Sequence, residues 1–197
     1  LGYYSRARNL HFSSKLISNE LKGKFPDNYD DLLKLKGIGE YTASAIASFA
    51  FNEKKAVLDG NVFRLLSRYF GILIPIDTSK GKKLFNSLAY NNLPKSNYGI
   101  YNQSIMEFGA LQCKPSSPDC SICPLNIKCW AFSNSKIKEL PFKKKKIKVR
   151  LRYFNFVIIQ DNKSVIMEKR IKKDIWRNLY QFPLFETHDK NFEPPES

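Results

Sequence analysis

Four cysteines fall within seventeen residues, in "CKPSSPDCSICPLNIKC", as Cys113, Cys120, Cys123 and Cys129. The spacing is C-x6-C-x2-C-x5-C. Any fold of this chain must gather four thiols in one short stretch. With no secretory leader expected, thiols this crowded favour a metal centre over two disulfides. Spacing alone leaves two centres open, a structural zinc or an iron–sulfur cluster, because both take four thiolates.

The rest of the chain must supply a body for that centre. Of 197 residues 43% are apolar, enough for a packed core, and no apolar run nears membrane-spanning length. The opening "LGYYSRARNL", without a Met, and the closing "EPPES" point to a fragment cut at both ends. The net charge is +15, unevenly spread. Residues 1–133 carry 17 basic and 10 acidic side chains, residues 134–152 carry 9 and 1, and residues 153–197 carry 7 of each. A basic body followed by a very basic connector suits a polyanion, nucleic acid first. The plainer alternative is a solubilising surface with a solvated lysine linker.

Apolar spacing reads residues 1–133 as almost wholly helical. "SRARNLHFSSKLISNEL" has an imperfect helical period, and "GKFPDNY" ends it. "DNYDDLLKL" is a short helix capped by Asn28 or Asp27. "YTASAIASFAF" is a small-residue helix suited to close packing, and "VFRLLSRYF", "TSKGKKLFNSLAYNNL" and "NYGIYNQSIMEFGALQC" are three more. Beyond "ELPFKKKKIK" the texture changes. "VRLRYFNFVIIQ", the turn "DNKS" and "VIMEKR" predict a β-hairpin opening a different domain, with Trp176 and Phe182 as core anchors. Residues 134–149 read as a flexible basic linker.

Two short stretches carry chemistry. In "LKGIGEYTASAI", Gly37 and Gly39 allow a tight turn with positive φ and a close approach to a partner. The amides at the start of the next helix, near Glu40, Tyr41 and Thr42, are unpaired and partially positive, an anion site suited to phosphate. Such a contact reads no base sequence. The pattern is that of a helix-hairpin-helix motif; the bland alternative is a connection needing glycine only for the turn. In "VLDGNVFRLLSRYF", Asp59 stands just before a helix. It reads either as an N-cap or as a carboxylate that stabilises an oxocarbenium-like sugar in N-glycosidic cleavage.

In this order, "LKGIGEYTASAI", "VLDGNVFRLLSR" and the cysteine spacing resemble the iron–sulfur DNA glycosylases of the endonuclease III superfamily. "LGYYSRARNL" and "LDGNV" resemble its MutY-type adenine glycosylases, and "VIMEKRIKKDIWRNLYQFPLFE" resembles the start of their Nudix-like C-terminal domain. The resemblance implies a mainly α fold. A helix-hairpin-helix glycosylase core with a cluster loop (1–133) and a linker (134–149) would precede the start of an α+β Nudix-like domain (150–197).

The resemblance also implies roles. Cys113, Cys120, Cys123 and Cys129 would hold a structural [4Fe–4S] cluster, ordering a loop whose Lys114 meets DNA. Asp59 would be the catalytic carboxylate beside the deoxyribose C1′, with Asn61 helping to place the chemistry. Gly37, Ile38 and Gly39 would form the phosphate-binding hairpin. Tyr3 would wedge into the duplex, and Arg6 and Arg8 would meet phosphates. Without the family, Tyr3 reads as an ordinary half-buried aromatic. Glycosylase-lyases carry a lysine where this chain has Tyr41, and a phenol forms no Schiff base. Base removal without strand cleavage follows. The partner would be double-stranded DNA with adenine opposite 8-oxoguanine or guanine. The protein would be monomeric, bacterial-type, cytoplasmic and nucleoid-associated.

One departure matters. The family's general-acid glutamate lies on a helix that would precede "LGYY", and Glu40 and Glu107 do not match its place. Glu40 reads as solvated and Glu107 as a structural contact. General-acid catalysis is worth about 10²–10⁴-fold, so this stretch by itself is expected to be inactive or nearly so. No Nudix-box run of glutamates is present, so no pyrophosphatase activity is expected. Two alternatives stand beside the adenine glycosylase: an endonuclease III-like lyase, and a non-enzymatic DNA-binding module built on a four-cysteine zinc.

Overall fold

The structure is a computed structural model that describes residues 3–144 and 150–190. It divides into two compact units, Arg6–Lys146 and Ile147–Ser197, the latter joined by Leu1–Ser5.

The first unit is helical. Its elements are α1 (Tyr4–Asn19), α2 (Tyr29–Leu33), α3 (Glu40–Phe51), α4 (Gly60–Phe70), α5 (Ser79–Asn91), α6 (Tyr98–Leu111), a single 3₁₀ turn (Asn126–Lys128) and α7 (Trp130–Ser133). Polar caps set three of the starts. Asn28 accepts from the Asp31 amide at 3.0 Å, Asp59 from Val62 at 2.8 Å and Thr78 from Gly81 at 3.0 Å. Each satisfies one of the amides a helix start leaves without a partner. The core lies in two clusters. Leu32 and Leu35 pack with Ala43 and Ala47 of α3, and Val62 and Leu66 of α4 pack with Phe85 and Ala89 of α5. The small buried residues of α3, Ala43, Ser44, Ala47 and Ser48, fit the close packing expected of that helix.

The lysine-rich stretch after α7 is fastened to this unit as far as Lys144. Leu140 is buried, the Ile76 amide donates to the Phe142 carbonyl at 3.0 Å, and the Lys144 amide donates to Asp77 at 2.9 Å. The remaining linker residues, 145–149, lie outside the described residues.

The second unit is built from short antiparallel pairs: β1 (Tyr153–Phe156) with β6 (Leu184–Thr187), β2 (Gln160–Asp161) with β3 (Ser164–Val165), and β4 (Glu168–Lys169) with β5 (Tyr180–Gln181). The expected long hairpin is therefore shortened to β2–β3, with Asp161 opposite Ser164. "VRLRYFNFVIIQ" is interrupted after Phe156, and β1 finds its partner far along the chain, Phe156 opposite Leu184. Trp176 is not buried as a core anchor. It is 39% exposed, its ring 5.9 Å from that of Phe154, while Phe182 is half-buried.

Charge binds this small unit together. Arg152 reaches Asp174 at 2.6 and 3.0 Å and Glu186 at 2.6 and 2.7 Å, while its guanidinium lies over the Phe154 ring. Arg170 bonds Asp174 at 3.2 Å and lies over Trp176. Arg152 holds both carboxyls below their usual range, Asp174 far below it. A carboxyl whose folded pKa is depressed stabilises above its unfolded value and loses that contribution as pH falls. The unit is therefore expected to loosen on acidification below about pH 4, near the unfolded carboxyl values. Trp176 fluorescence in a Trp130→Phe background reads this directly. A signal flat down to full carboxyl protonation would refute it.

Candidate active site and cysteine cluster

The hairpin between α2 and α3 is built as a glycine turn, but only one of its glycines needs special backbone. Gly37 has φ +90°, and a Cβ there would stand 2.7 Å from the Asn9 Cβ of α1. Gly39 is extended, with φ −98°, and serves as the N-cap of α3 with no side chain to cap it. The positive φ expected at Gly39 is thus corrected: Gly37 alone makes the turn, and Gly39 contributes by lacking a side chain. Ile38 turns inward onto the cluster of Leu32, Leu35, Ala43 and Ala47, and its amide donates to the Leu35 carbonyl at 3.1 Å. Ser13 of α1 clamps the other side, its hydroxyl donating to the Lys36 carbonyl at 2.9 Å. The start of α3 is left open, with Glu40 and Tyr41 exposed. Gly37→Ala combines an αL backbone with a clash, so about 1–3 kcal/mol of stability should be lost, visible as a lowered Tm. Gly39→Ala meets nothing within 4 Å and should be far milder.

Asp59 is both a cap and a held carboxylate. One oxygen accepts from the Val62 amide at 2.8 Å, the other from Asn61 Nδ2 at 2.8 Å. Asn61 Oδ1 in turn accepts from Arg64 Nη2 at 2.8 Å. Arg64 is 7% exposed and its Nε donates to the Cys113 carbonyl at 2.7 Å. A continuous set of hydrogen bonds therefore runs from the Asp59 carboxylate to the first cysteine. Burial lowers the Arg64 pKa and Arg68 adds to this, while Cys113 and Asp59 act the other way. Helix α6 braces both ends of the segment. Asn102, 1% exposed, holds the approach to Asp59, accepting from Val57 at 3.1 Å and donating to Lys55 at 2.8 Å. Gly109 lets Asn61 pack directly on the α6 backbone, for a Cβ there would meet Asn61 at 2.9 Å.

One turn further along α4, Arg68 is 2% exposed. Its Nε donates to Leu140 at 3.1 Å, Nη1 to Lys114 at 2.7 Å and Nη2 to Pro115 at 3.1 Å, all backbone carbonyls. Nη1 also lies 3.4 Å from Cys113 Sγ, and the Cys129 thiol donates to the Arg68 carbonyl at 3.6 Å. Neither arginine stood out in the sequence. The i, i+4 spacing in "RLLSR" puts both on one helix face, but that spacing does not separate buried arginines from solvated ones.

The four cysteines line one cavity with Leu65, Arg68 and Phe108. Burial raises the Cys120 thiol, and the other three cysteines add to it. Among the described residues, no three His, Cys, Asp or Glu side chains converge tightly enough for a single metal ion. Lys114 is exposed, with its carbonyl held by Arg68. Tyr3, just before α1, is 64% exposed rather than half-buried, and Arg6 and Arg8 are exposed on α1. Glu107 is exposed on α6, against the structural contact expected of it.

The helix-hairpin-helix motif family matches residues 20–49. The chain is 40% identical over 193 residues to the adenine DNA glycosylase of Buchnera aphidicola from Schizaphis graminum, covering 98% of this chain and 56% of that protein. It is 38% identical to the adenine DNA glycosylase of Arabidopsis thaliana, over 93% of this chain and 31% of that protein. The chain spans about half the length of the Buchnera relatives it matches. Among solved structures, a thermostable thymine-DNA glycosylase matches with a TM-score of 0.60 at 30% identity, over 66% of this chain and 59% of that one. A non-covalent endonuclease III–DNA complex matches with a TM-score of 0.56 at 29% identity, over 66% and 58%. Over nearly its whole length the chain is similar to adenine DNA glycosylases, and it has the helix-hairpin-helix fold of the endonuclease III-like DNA glycosylases.

Proposed function

We propose that the protein carrying this chain is a monofunctional DNA glycosylase that removes adenine opposite 8-oxoguanine or guanine by hydrolysis of the N-glycosidic bond. The observation that carries the reading is the Asp59 carboxylate, gripped on both oxygens at the start of α4 and tied through Asn61 and Arg64 to the cysteine loop. The uncapped start of α3 supports it as a phosphate seat.

In this reading Gly37, Ile38 and Gly39 shape a hairpin that holds one backbone phosphate without reading bases. Adenine leaves the stack at a cost of a few kcal/mol, least at a mismatch. Asp59 stabilises the cationic sugar as the base departs, and Asn61 keeps the carboxylate aimed. Tyr41 offers no amine, so water completes the reaction at an abasic site. The exposed ring of Tyr3 suits stacking in the duplex, and Arg6 and Lys114 suit phosphates.

Likeness to the endonuclease III-type glycosylases favours a cluster over a zinc ion at these thiols. Zinc needs four sulfurs about 2.3 Å from one point. A four-iron cluster takes one thiolate per iron, and four thiols line this one cavity. Cys113, Cys120, Cys123 and Cys129 would hold a [4Fe–4S] cluster, whose contribution when bound is to order the 113–129 loop.

The test is adenine release by the full protein from a duplex with one A:8-oxoguanine pair, with and without alkali. Strand breaks should appear only after alkali, with no borohydride-trapped adduct. A trapped adduct would overturn the monofunctional reading, and no adenine release from A:8-oxoguanine or A:G would overturn the substrate.

A further inference from the structure

We infer that the helical unit carries a second contact for the DNA backbone, formed by Lys80, Lys82 and Lys83 of α5 with Lys143 and Lys144. The inference rests on the reading of DNA as the partner, and it assigns a surface on elements other than the hairpin, Asp59 and the cysteine loop.

Two stretches far apart in sequence are joined here by the backbone. The Ile76 amide donates to the Phe142 carbonyl at 3.0 Å, and the Lys144 amide donates to Asp77 at 2.9 Å. Asp77 directly precedes Thr78, the N-cap of α5. The run 142–144 therefore lies beside the turn from which α5 starts, and lysines 143 and 144 join those of its opening turn and a half. All five are exposed, and none makes an ion pair among the described residues. The buried side of α5 is Gly81, Phe85 and Ala89. Lys80 and Lys83, three residues apart, share the outward side.

This arrangement opposes the intrinsic preference of a helix. The start of α5 carries partial positive charge that favours acidic side chains, yet its first turn holds none and gathers lysines. Like charges crowded at a positive helix end are relieved by an anion. The group holds no Arg, Asn or Gln to make bidentate contacts with base edges. Flexible ammonium point charges suit a line of phosphates, which is attraction without sequence readout.

The test is the salt dependence of binding to a short undamaged duplex, measured with the full protein. Lys80→Gln, Lys82→Gln and Lys83→Gln together should make the slope of log K against log salt shallower by about two to three, because each phosphate that no longer meets a lysine keeps its counterion. The matching triple arginine variant should keep the original slope. An unchanged slope in the glutamine variant, with its circular dichroism intact, would overturn the inference and leave the patch to an acidic protein. Adenine release at saturating protein separates this from the function proposed above. A shallower slope in a protein that releases no adenine would support this surface while refuting that substrate.

Discussion

Asp59→Asn is expected to lower base release by about 10²–10³-fold while leaving α4 in place, on the scale of losing one electrostatic stabiliser of a transition state. The substitution separates the two jobs of the residue. Asparagine is among the preferred N-caps, so its carbonyl oxygen still accepts from the Val62 amide. The charge that the proposed function sets against the sugar is gone. One hydrogen bond also suffers, because Asn61 Nδ2 now meets an amide that can present only one oxygen, and Asn61 Oδ1 is committed to Arg64. That costs about 1 kcal/mol of stability, too little to unfold the unit. Single-turnover release and duplex affinity, measured side by side, check the prediction. If Asp59 were only a cap, release would stay near that of the unaltered protein.

Arg68→Leu should be the most damaging single change to stability, about 3–5 kcal/mol, the scale of stranding several buried acceptors at about 1–3 kcal/mol each. The guanidinium is 2% exposed and bonds three backbone carbonyls at once, those of Leu140, Lys114 and Pro115. Arg68→Lys should rescue little, since an ammonium on a single stem cannot span Leu140, Lys114 and Pro115 together. Thermal unfolding, with proteolysis of the 113–129 loop as a local readout, would test both. A Tm unchanged in Arg68→Lys would show that charge, not the fork, holds the loop.

Much of the candidate site could be read from local pattern because local chemistry specifies it. Asn28 and Asp59 cap helices through bonds three residues long, and the crowded cysteine spacing favours one shared centre, the four thiols lining one cavity. What escaped was non-local. Apart from Asn61 and Gly60, which neighbour Arg64, the acceptors of Arg64 and Arg68 lie 45–72 residues downstream, and no periodicity in "RLLSR" tells a buried arginine from a solvated one. Strand pairing was legible only at the hairpin β2–β3, for the same reason. "VRLRYFNFVIIQ" and "VIMEKR" look like neighbours, yet β1 takes β6, which only the folded unit brings near. Gly39 escaped because two glycines in one turn look alike, and the packing of Asn9 against Gly37 decides which bends. The stretch 134–144 reads as a linker on charge alone, yet Leu140 is buried and its carbonyl is held by Arg68.

The reach of Arg68 has a consequence for how the chain is made. Translation delivers α4 long before Leu140, and ribosomes add about 5–20 residues per second. For several seconds Arg68 lacks the three carbonyls that receive it, and Arg64 has only its neighbours Asn61 and Gly60. The face of α4 that carries the two arginines therefore completes its hydrogen bonds only after the cysteine stretch and Leu140 have emerged. Closing segments this far apart also carries an entropic delay. The carboxylate finds its own partners, Val62 and Asn61, at once, but the brace behind them, from Arg64 to the Cys113 carbonyl, waits for residues synthesised after α6.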